Sequence, residues 1–97
     1  MNTYITLMKL TEQGIKNLKD APKRVEEAFK MLEKAGGKLI GFYAVLGEYD
    51  YIGIGQSPSD ELVTAFNLAL SALGNVRTLT MRAFSLEEFQ GIIKKLP

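Results

Sequence analysis

The centre of the chain holds two apolar stretches, residues 38–46 (KLIGFYAVL) and 50–57 (DYIGIGQS), separated by only a few residues around Gly47. Both are rich in β-branched and aromatic residues, which is typical of strands. A connection this short joins antiparallel neighbours, because a parallel crossover needs about a dozen residues or more. The two stretches therefore predict a β-hairpin, around which the rest of the chain must be arranged.

A helix is predicted before the hairpin. Apolar residues recur at the spacing of one helix face at Val25, Ala28, Phe29 and Leu32. Asp20 is the expected N-cap, Pro22 lies in the first turn, and Gly36 follows the end. Residues 11–20 are expected to form a loop with one helical turn.

A second helix is predicted after the hairpin. Residues 57–60 (SPSD) supply cap chemistry, and Gly74 ends the helix. Its apolar stripe consists of Leu62, Phe66, Ala69, Leu70 and Leu73.

Alternating residues at 3–10 and 76–84 predict two further strands, and Ser85 with Glu88 predicts a capping box that starts a short terminal helix. The element order is β-α-β-β-α-β plus one helix. We therefore expect a single α+β domain over residues 1–97, with a ferredoxin-like fold. Its four-stranded antiparallel sheet would carry two helices on one face.

Both faces of this sheet carry apolar or small residues. We expect the helices to cover Ile5, Leu7, Phe42, Ala44, Ile52, Ile54, Leu79 and Met81. The other face would then show Tyr4, Thr6, Met8, Tyr43, Val45, Tyr51 and Thr80. A patch of this size usually marks an interface, so two sheets are predicted to pack face to face in a homodimer or a larger symmetric oligomer. The alternative is that the terminal helix folds back over this face.

Composition excludes several kinds of chemistry. The chain has no cysteine and no histidine, which removes disulfides, thiolate nucleophiles, histidine bases and the usual zinc ligands. A formal net charge of +1 produces no strong electrostatic attraction to nucleic acid or anionic lipid. We expect no cofactor, no metal, no nucleic-acid partner, no membrane partner and a cytoplasmic location.

Three segments resemble the GYD-domain family: residues 4–29, LGEYDYIGIG at 46–55, and LGNVRTLTMRAFSLEEF at 73–89. The signature residues are Gly47, Tyr49 and Asp50. This resemblance implies a ferredoxin-like, dimeric α/β-barrel type of fold and no particular activity. GEYDYI and NVRTLTMRA are more distantly similar to the ligand-binding domain of leucine- and asparagine-responsive regulators. That similarity implies small effectors near subunit contacts.

Tyr49 and Asp50 are candidate ligand contacts, through a phenol and a carboxylate. The structural interpretation is that Gly47 permits the turn, Asp50 bonds nearby amides and Tyr49 packs at the hairpin end. Asp50 is ordinarily a turn former, which favours the structural role.

Tyr51, Gly53 and Gly55 share one face of the third strand, where missing side chains leave space. Tyr43 and Arg82 are predicted to ring this space with hydrogen-bonding groups. An apolar cleft with a few polar groups is the usual form of a small-molecule site. A dimer interface shaped by the glycines is an equal alternative.

Three functions follow from these patterns. The leading hypothesis is a small oligomeric domain that binds a small organic ligand at or near the sheet interface, in a sensing or regulatory role. One alternative is a cofactor-independent oxygenase, isomerase or dehydratase that uses Tyr43, Tyr51 or Asp50 for proton transfer. The other is a purely structural interaction module.

Overall fold

The computed structural model describes all residues, 1–97. The elements are β1 (Asn2–Leu10), α1 (Glu12–Lys16), α2 (Ala21–Lys34), β2 (Lys38–Ala44), β3 (Tyr51–Ser57), α3 (Asp60–Ala72), β4 (Val76–Ala83) and α4 (Leu86–Ile93), with one 3-10 turn (Leu18–Asp20) before α2. The strands form one antiparallel sheet in the order β2-β3-β1-β4. This confirms the predicted α+β, ferredoxin-like fold. None of the helices has the length and apolarity needed to cross a membrane.

The segment predicted as a loop with one turn contains α1 and the 3-10 turn. Thr11 caps α1 by accepting a hydrogen bond from the Gly14 amide at 3.1 Å. Gly14 is buried, and a Cβ there would collide with the Asn75 carbonyl oxygen. The glycine is therefore needed for the close approach of α1 to the loop before β4.

The helix starts follow the sequence signals with one exception. The Ser59 hydroxyl accepts from the Leu62 amide at 3.2 Å to cap α3, and the Ser85–Glu88 capping box starts α4. Asp20 occupies the N-cap position of α2, but its side chain makes no capping bond. The expected Asp20 cap is wrong because Asp20 has helical backbone angles in the preceding 3-10 turn, φ −91° and ψ 0°, whereas a capping side chain needs an extended N-cap.

On β1, β3 and β4 the helices cover the sheet face opposite to the predicted one, whereas Phe42 of β2 lies on the covered face as predicted. Tyr4 is only 4% exposed, and it shares its face with Gly55 and Arg82 through the strand register. The covered face consists of Tyr4, Thr6, Met8, Phe42, Tyr51, Gly53, Gly55, Thr78 and Thr80. Small residues on this face let the large side chains of the helices approach, as Leu32 does: its Cδ2 atom lies 3.6 Å from where a Gly55 Cβ would be.

The other face has no helix over it, and we call it the open sheet face. It consists of Ile5, Leu7, Tyr43, Ile52, Ile54, Leu79 and Met81, which the strand register places side by side. Tyr43, Leu79 and Met81 are 60%, 44% and 41% exposed. Every residue from Phe84 to Pro97 is exposed, so α4 does not fold back over this face. Tyr43 lies on the exposed apolar face as predicted, whereas the residues that β1, β3 and β4 contribute to it are those predicted to be covered.

Candidate functional site

A cavity of about 410 Å³ lies between the sheet and helices α2 and α3, and we call it the helix-side cavity. Its lining is largely apolar. Representative residues are Met8, Phe29, Phe42, Tyr51, Val63 and Phe66. This volume is within the range of small-molecule sites in proteins. The helices therefore cover the sheet without filling the space between the two layers.

The glycines of β3 form part of the cavity wall. A Cβ at Gly53 would lie 3.3 Å from the Met8 methyl carbon, and one at Gly55 would lie 3.3 Å from the Lys38 carbonyl oxygen. Met8 and Leu32 thus occupy the space nearest to the glycines. A larger residue at either position would push these neighbours into the cavity.

Three aromatic rings form a continuous group along one wall. Phe29 of α2 meets Phe42 of β2 edge to face, with ring centroids 5.5 Å apart. Phe42 in turn lies 5.2 Å from the Tyr51 ring. Offset and edge contacts of this kind add to the stabilisation that burial of the rings provides. These contacts also place the Tyr51 ring on the same wall of the cavity as Phe29 and Phe42.

Tyr4 joins the sheet to the start of α3. Its hydroxyl donates a hydrogen bond to the Asp60 carboxylate, and the Asn2 amide donates to the same hydroxyl at 3.4 Å. The bond to Asp60, together with burial, raises the pKa of Tyr4 above its ordinary value. Tyr4 is therefore a protonated donor that holds β1 and α3 together.

A second polar group lies on the same sheet face. The hydroxyls of Thr6 and Thr80 are 3.0 Å apart, and the Asn67 side-chain amide donates to Thr80 at 2.5 Å. These bonds link β1, β4 and α3. They satisfy the polar atoms that lie under the helices, where an unpaired group would be costly.

Arg24 lies where the helix-side cavity meets a second, polar groove. Its guanidinium donates to the carbonyl oxygens of Asn17, at 2.6 Å, and Gly14, at 3.4 Å. The polar groove is lined by Gln13, Asn17, Asp20, Lys23, Arg24, Glu27 and Asn75. The cavity and the groove share Arg24, Glu27 and Asn75. Arg24 has no carboxylate within ion-pair distance, since the chain's one ion pair is between Arg82 and Glu88.

Arg82 organises the junction between β4 and α4. It donates to the Ala83 carbonyl and to the Asn2 side-chain oxygen, lies 4.4 Å over the Phe84 ring, and is 3.8 Å from the Glu88 carboxylate. Glu88 accepts from the Ser85 amide at 3.0 Å, and this bond lowers the pKa of Glu88. These contacts thus set the direction in which α4 leaves the end of β4.

The structure divides the predicted site residues among separate places. Tyr51, Gly53 and Gly55 line the helix-side cavity. Tyr43 pairs with Ile52 and lies on the open sheet face, so the predicted grouping of Tyr43 with Tyr51 is wrong. The hairpin pairs Ala44 with Tyr51, so Tyr43 lies one position out of step with Tyr51 and faces the other side of the sheet.

Asp50 and Tyr49 lie in the loop between β2 and β3. The Asp50 carboxylate accepts a hydrogen bond from the Leu10 amide at 2.8 Å, and its backbone bonds Met8 and Val45. Tyr49 is half-buried in the same loop. The structure therefore does not bring Asp50, Tyr43 and Tyr51 together, as the proton-transfer hypothesis would require.

The predicted site residues include neither Tyr4 nor Arg24. Tyr4 fits the alternation of its strand as well as the apolar residues do. Only its hydrogen-bond partner on α3 distinguishes it from them. Arg24 lies on a charged helix start, and the contacts of its guanidinium depend on the position of α1. No local sequence signal reports either arrangement.

Comparison with known proteins gives two findings. The model of the GYD domain matches residues 4–93 of this chain. The "Glutamine synthetase and cystathionine beta-lyase binding protein" of Thermus thermophilus is 32% identical over 95 residues, which are 97% of this chain and 100% of that relative. Both similarities extend over nearly the whole chain.

Proposed function

This chain belongs to the GYD domain family, and we propose that it is a homodimeric interaction module that binds a metabolic enzyme. The observation that carries the proposal is that two apolar surfaces lack any partner within the chain, the open sheet face and the apolar side of α4. Exposed patches of this kind usually mark interaction sites. The name of the Thermus relative supports an enzyme as the partner.

We assign the open sheet face to self-association. Its seven large side chains are contributed by all four strands, so the patch extends across the whole sheet. A two-fold axis through such a face pairs identical apolar patches, and two-fold dimers are the commonest protein assemblies. The charged residues on the strand positions of this face are Lys9, Lys38 and Arg77; Lys9 and Arg77 pair at one end of the sheet, and Lys38 lies at the other end.

We assign α4 to the enzyme. Its apolar side repeats at three- and four-residue spacing through Leu86, Phe89 and Ile93, which are 72%, 51% and 46% exposed, and Leu96, shortly after the helix, is 64% exposed. The Ser85 capping box and the Arg82–Glu88 ion pair preform the helix and its direction. An exposed amphipathic helix that is already formed fits a partner with an apolar groove. A cytoplasmic location, which such enzymes share, belongs to this proposal.

The test is co-elution of the purified protein with purified glutamine synthetase, and separately with cystathionine β-lyase, from the same source organism. We expect a complex with at least one of them, and we expect Phe89→Glu to abolish it. Gln90→Glu adds the same charge to the same helix outside the apolar side and should leave the complex intact. Absence of a complex with either enzyme, or equal binding by both variants, would contradict the assignment.

A second candidate function is the binding of a small organic ligand with a regulatory outcome. The observation that favours it is the helix-side cavity of about 410 Å³, which includes the predicted ligand contacts Tyr51, Gly53 and Gly55. Thermal unfolding in the presence of amino acids, nucleotides, fatty acids and aromatic acids tests it. A ligand at 100 times its Kd should stabilise the protein by about 2.7 kcal/mol, and uniform failure to raise Tm would contradict it.

A further inference from the structure

We propose that the ligand of the helix-side cavity is an apolar molecule with a single carboxylate, whose apolar part lies between the sheet and the helices and whose carboxylate binds Arg24. This inference rests on the ligand-binding role proposed above and adds a chemical class to it. It joins two features of the molecule, the apolar cavity and the polar groove that adjoins it at Arg24.

The apolar part of the ligand follows from the cavity wall. Phe29, Phe42 and Phe66 present ring carbon only, and the aliphatic residues Val25, Val63 and Leu70 complete much of the lining. The polar groups of Tyr4 and Thr6, which also line the cavity, already bond Asp60 and Thr80. Apart from the Tyr51 hydroxyl, the wall offers few polar partners, so a ligand with polar atoms along its whole body would lose hydration without compensation.

The carboxylate follows from Arg24. Two of its nitrogen atoms donate to backbone carbonyl oxygens, while no carboxylate of the chain forms an ion pair with it. A guanidinium is a planar fork that matches a carboxylate with two parallel hydrogen bonds. Lys23, in the same groove, adds a second positive charge.

The same groove limits the charge of the ligand. Asp20 and Glu27 line it together with the two cations, so the local charges balance. A head group with several negative charges, such as a phosphate ester, would meet repulsion from these carboxylates. A single carboxylate can bind Arg24 at a smaller electrostatic cost. The predicted class is therefore the monocarboxylates with an unbranched chain or a ring.

The experiment is a competition assay in which straight-chain carboxylates from hexanoate to dodecanoate displace the fluorescent probe anilinonaphthalene sulfonate. We expect affinity to rise about fourfold for each added methylene until the cavity is full, as burial of one CH₂ predicts. We also expect decanol to compete at least tenfold more weakly than decanoate. Equal competition by decanol and decanoate would overturn the carboxylate assignment, while leaving ligand binding in the cavity intact.

Two pairs of variants locate the site. Ala28→Phe should fill the cavity and lower the affinity for decanoate at least tenfold, whereas Ala65→Phe makes the same change on the exposed side of α3 and should not. Arg24→Gln should lower the affinity for decanoate but not for decanol, and Arg77→Gln on the open sheet face should change neither. Binding that survives Ala28→Phe would overturn the site. Circular dichroism and urea unfolding would confirm that each variant is folded.

Discussion

Removal of the Asp50 carboxylate separates its structural role from a ligand-binding role. Asp50 Oδ2 accepts from the Leu10 amide at 2.8 Å, which ties the end of β1 to the loop between β2 and β3. In Asp50→Ala the Leu10 amide loses this partner, whereas the two backbone hydrogen bonds of residue 50, to Met8 and Val45, can remain. The variant therefore tests one bond within an otherwise unchanged loop.

A hydrogen bond to a charged group contributes about 1.5–3 kcal/mol to stability. We expect Asp50→Ala to lower the free energy of unfolding by this amount. For a domain of this size the change corresponds to a fall in Tm of roughly 6–24 °C, at about 4–8 °C per kcal/mol. Asp50→Asn keeps an uncharged acceptor and should lose about half as much, because charge-assisted bonds are about twice as strong as neutral ones.

The assay is urea unfolding followed by circular dichroism, with all proteins at the same concentration because an oligomer's stability depends on it. Glu48→Ala is the matched control, since Glu48 is an exposed carboxylate in the same loop with no bond to the rest of the chain. Its free energy of unfolding should change by less than about 0.5 kcal/mol. Equal stability of Asp50→Ala and Glu48→Ala would refute the structural role and make a ligand contact the better explanation.

Three further predictions concern other contacts. Because the pKa of Tyr4 is raised, its contribution to stability is present below the ordinary value of 10.0 and is lost as pH rises through the raised pKa. The wild type should therefore lose urea resistance between pH 9 and 12, and Tyr4→Phe should lose less than the wild type. Ser85→Ala removes the cap of α4 and should weaken that helix by about 1 kcal/mol, measured by hydrogen exchange of its amides. Gly47 has φ +116°, so Gly47→Ala should lower the free energy of unfolding by about 1–2 kcal/mol, whereas Gly91→Ala, at a helical position with no atom within 4 Å of the added Cβ, should raise it by about 0.5–1 kcal/mol.

The sequence predicted the order of elements because its signals are local. The short connection at Gly47, the caps at Ser59 and Ser85, and the glycines that end the helices each act within a few residues. The same signals could not predict which sheet face the helices cover, because Ile5 and Tyr4 alternate equally well and either could face inward. The bond between Tyr4 and Asp60 joins residues 56 apart, and only the folded chain brings them together.

The candidate site was predictable in part for the same reason. Tyr51, Gly53 and Gly55 are two residues apart along one strand. Once β3 is identified as a strand, the period of two places these residues on one face. Tyr43 belongs to a neighbouring strand, and its face depends on the pairing register, which the loop between β2 and β3 sets by pairing Ala44 with Tyr51. Arg24 enters the site through contacts with α1, which no periodicity describes.

Sedimentation equilibrium of the wild type and of Leu79→Glu is the most direct test of the proposed module. Leu79 is 44% exposed on the open sheet face, so a charge there should disrupt a dimer without unfolding the chain. We predict a wild-type mass of two chains, or a multiple of two, at micromolar concentration, and a folded monomer for Leu79→Glu. Thr64→Glu, on the exposed side of α3, should keep the wild-type mass. A monomeric wild type, or a Leu79→Glu variant with the wild-type mass, would contradict self-association through the open sheet face.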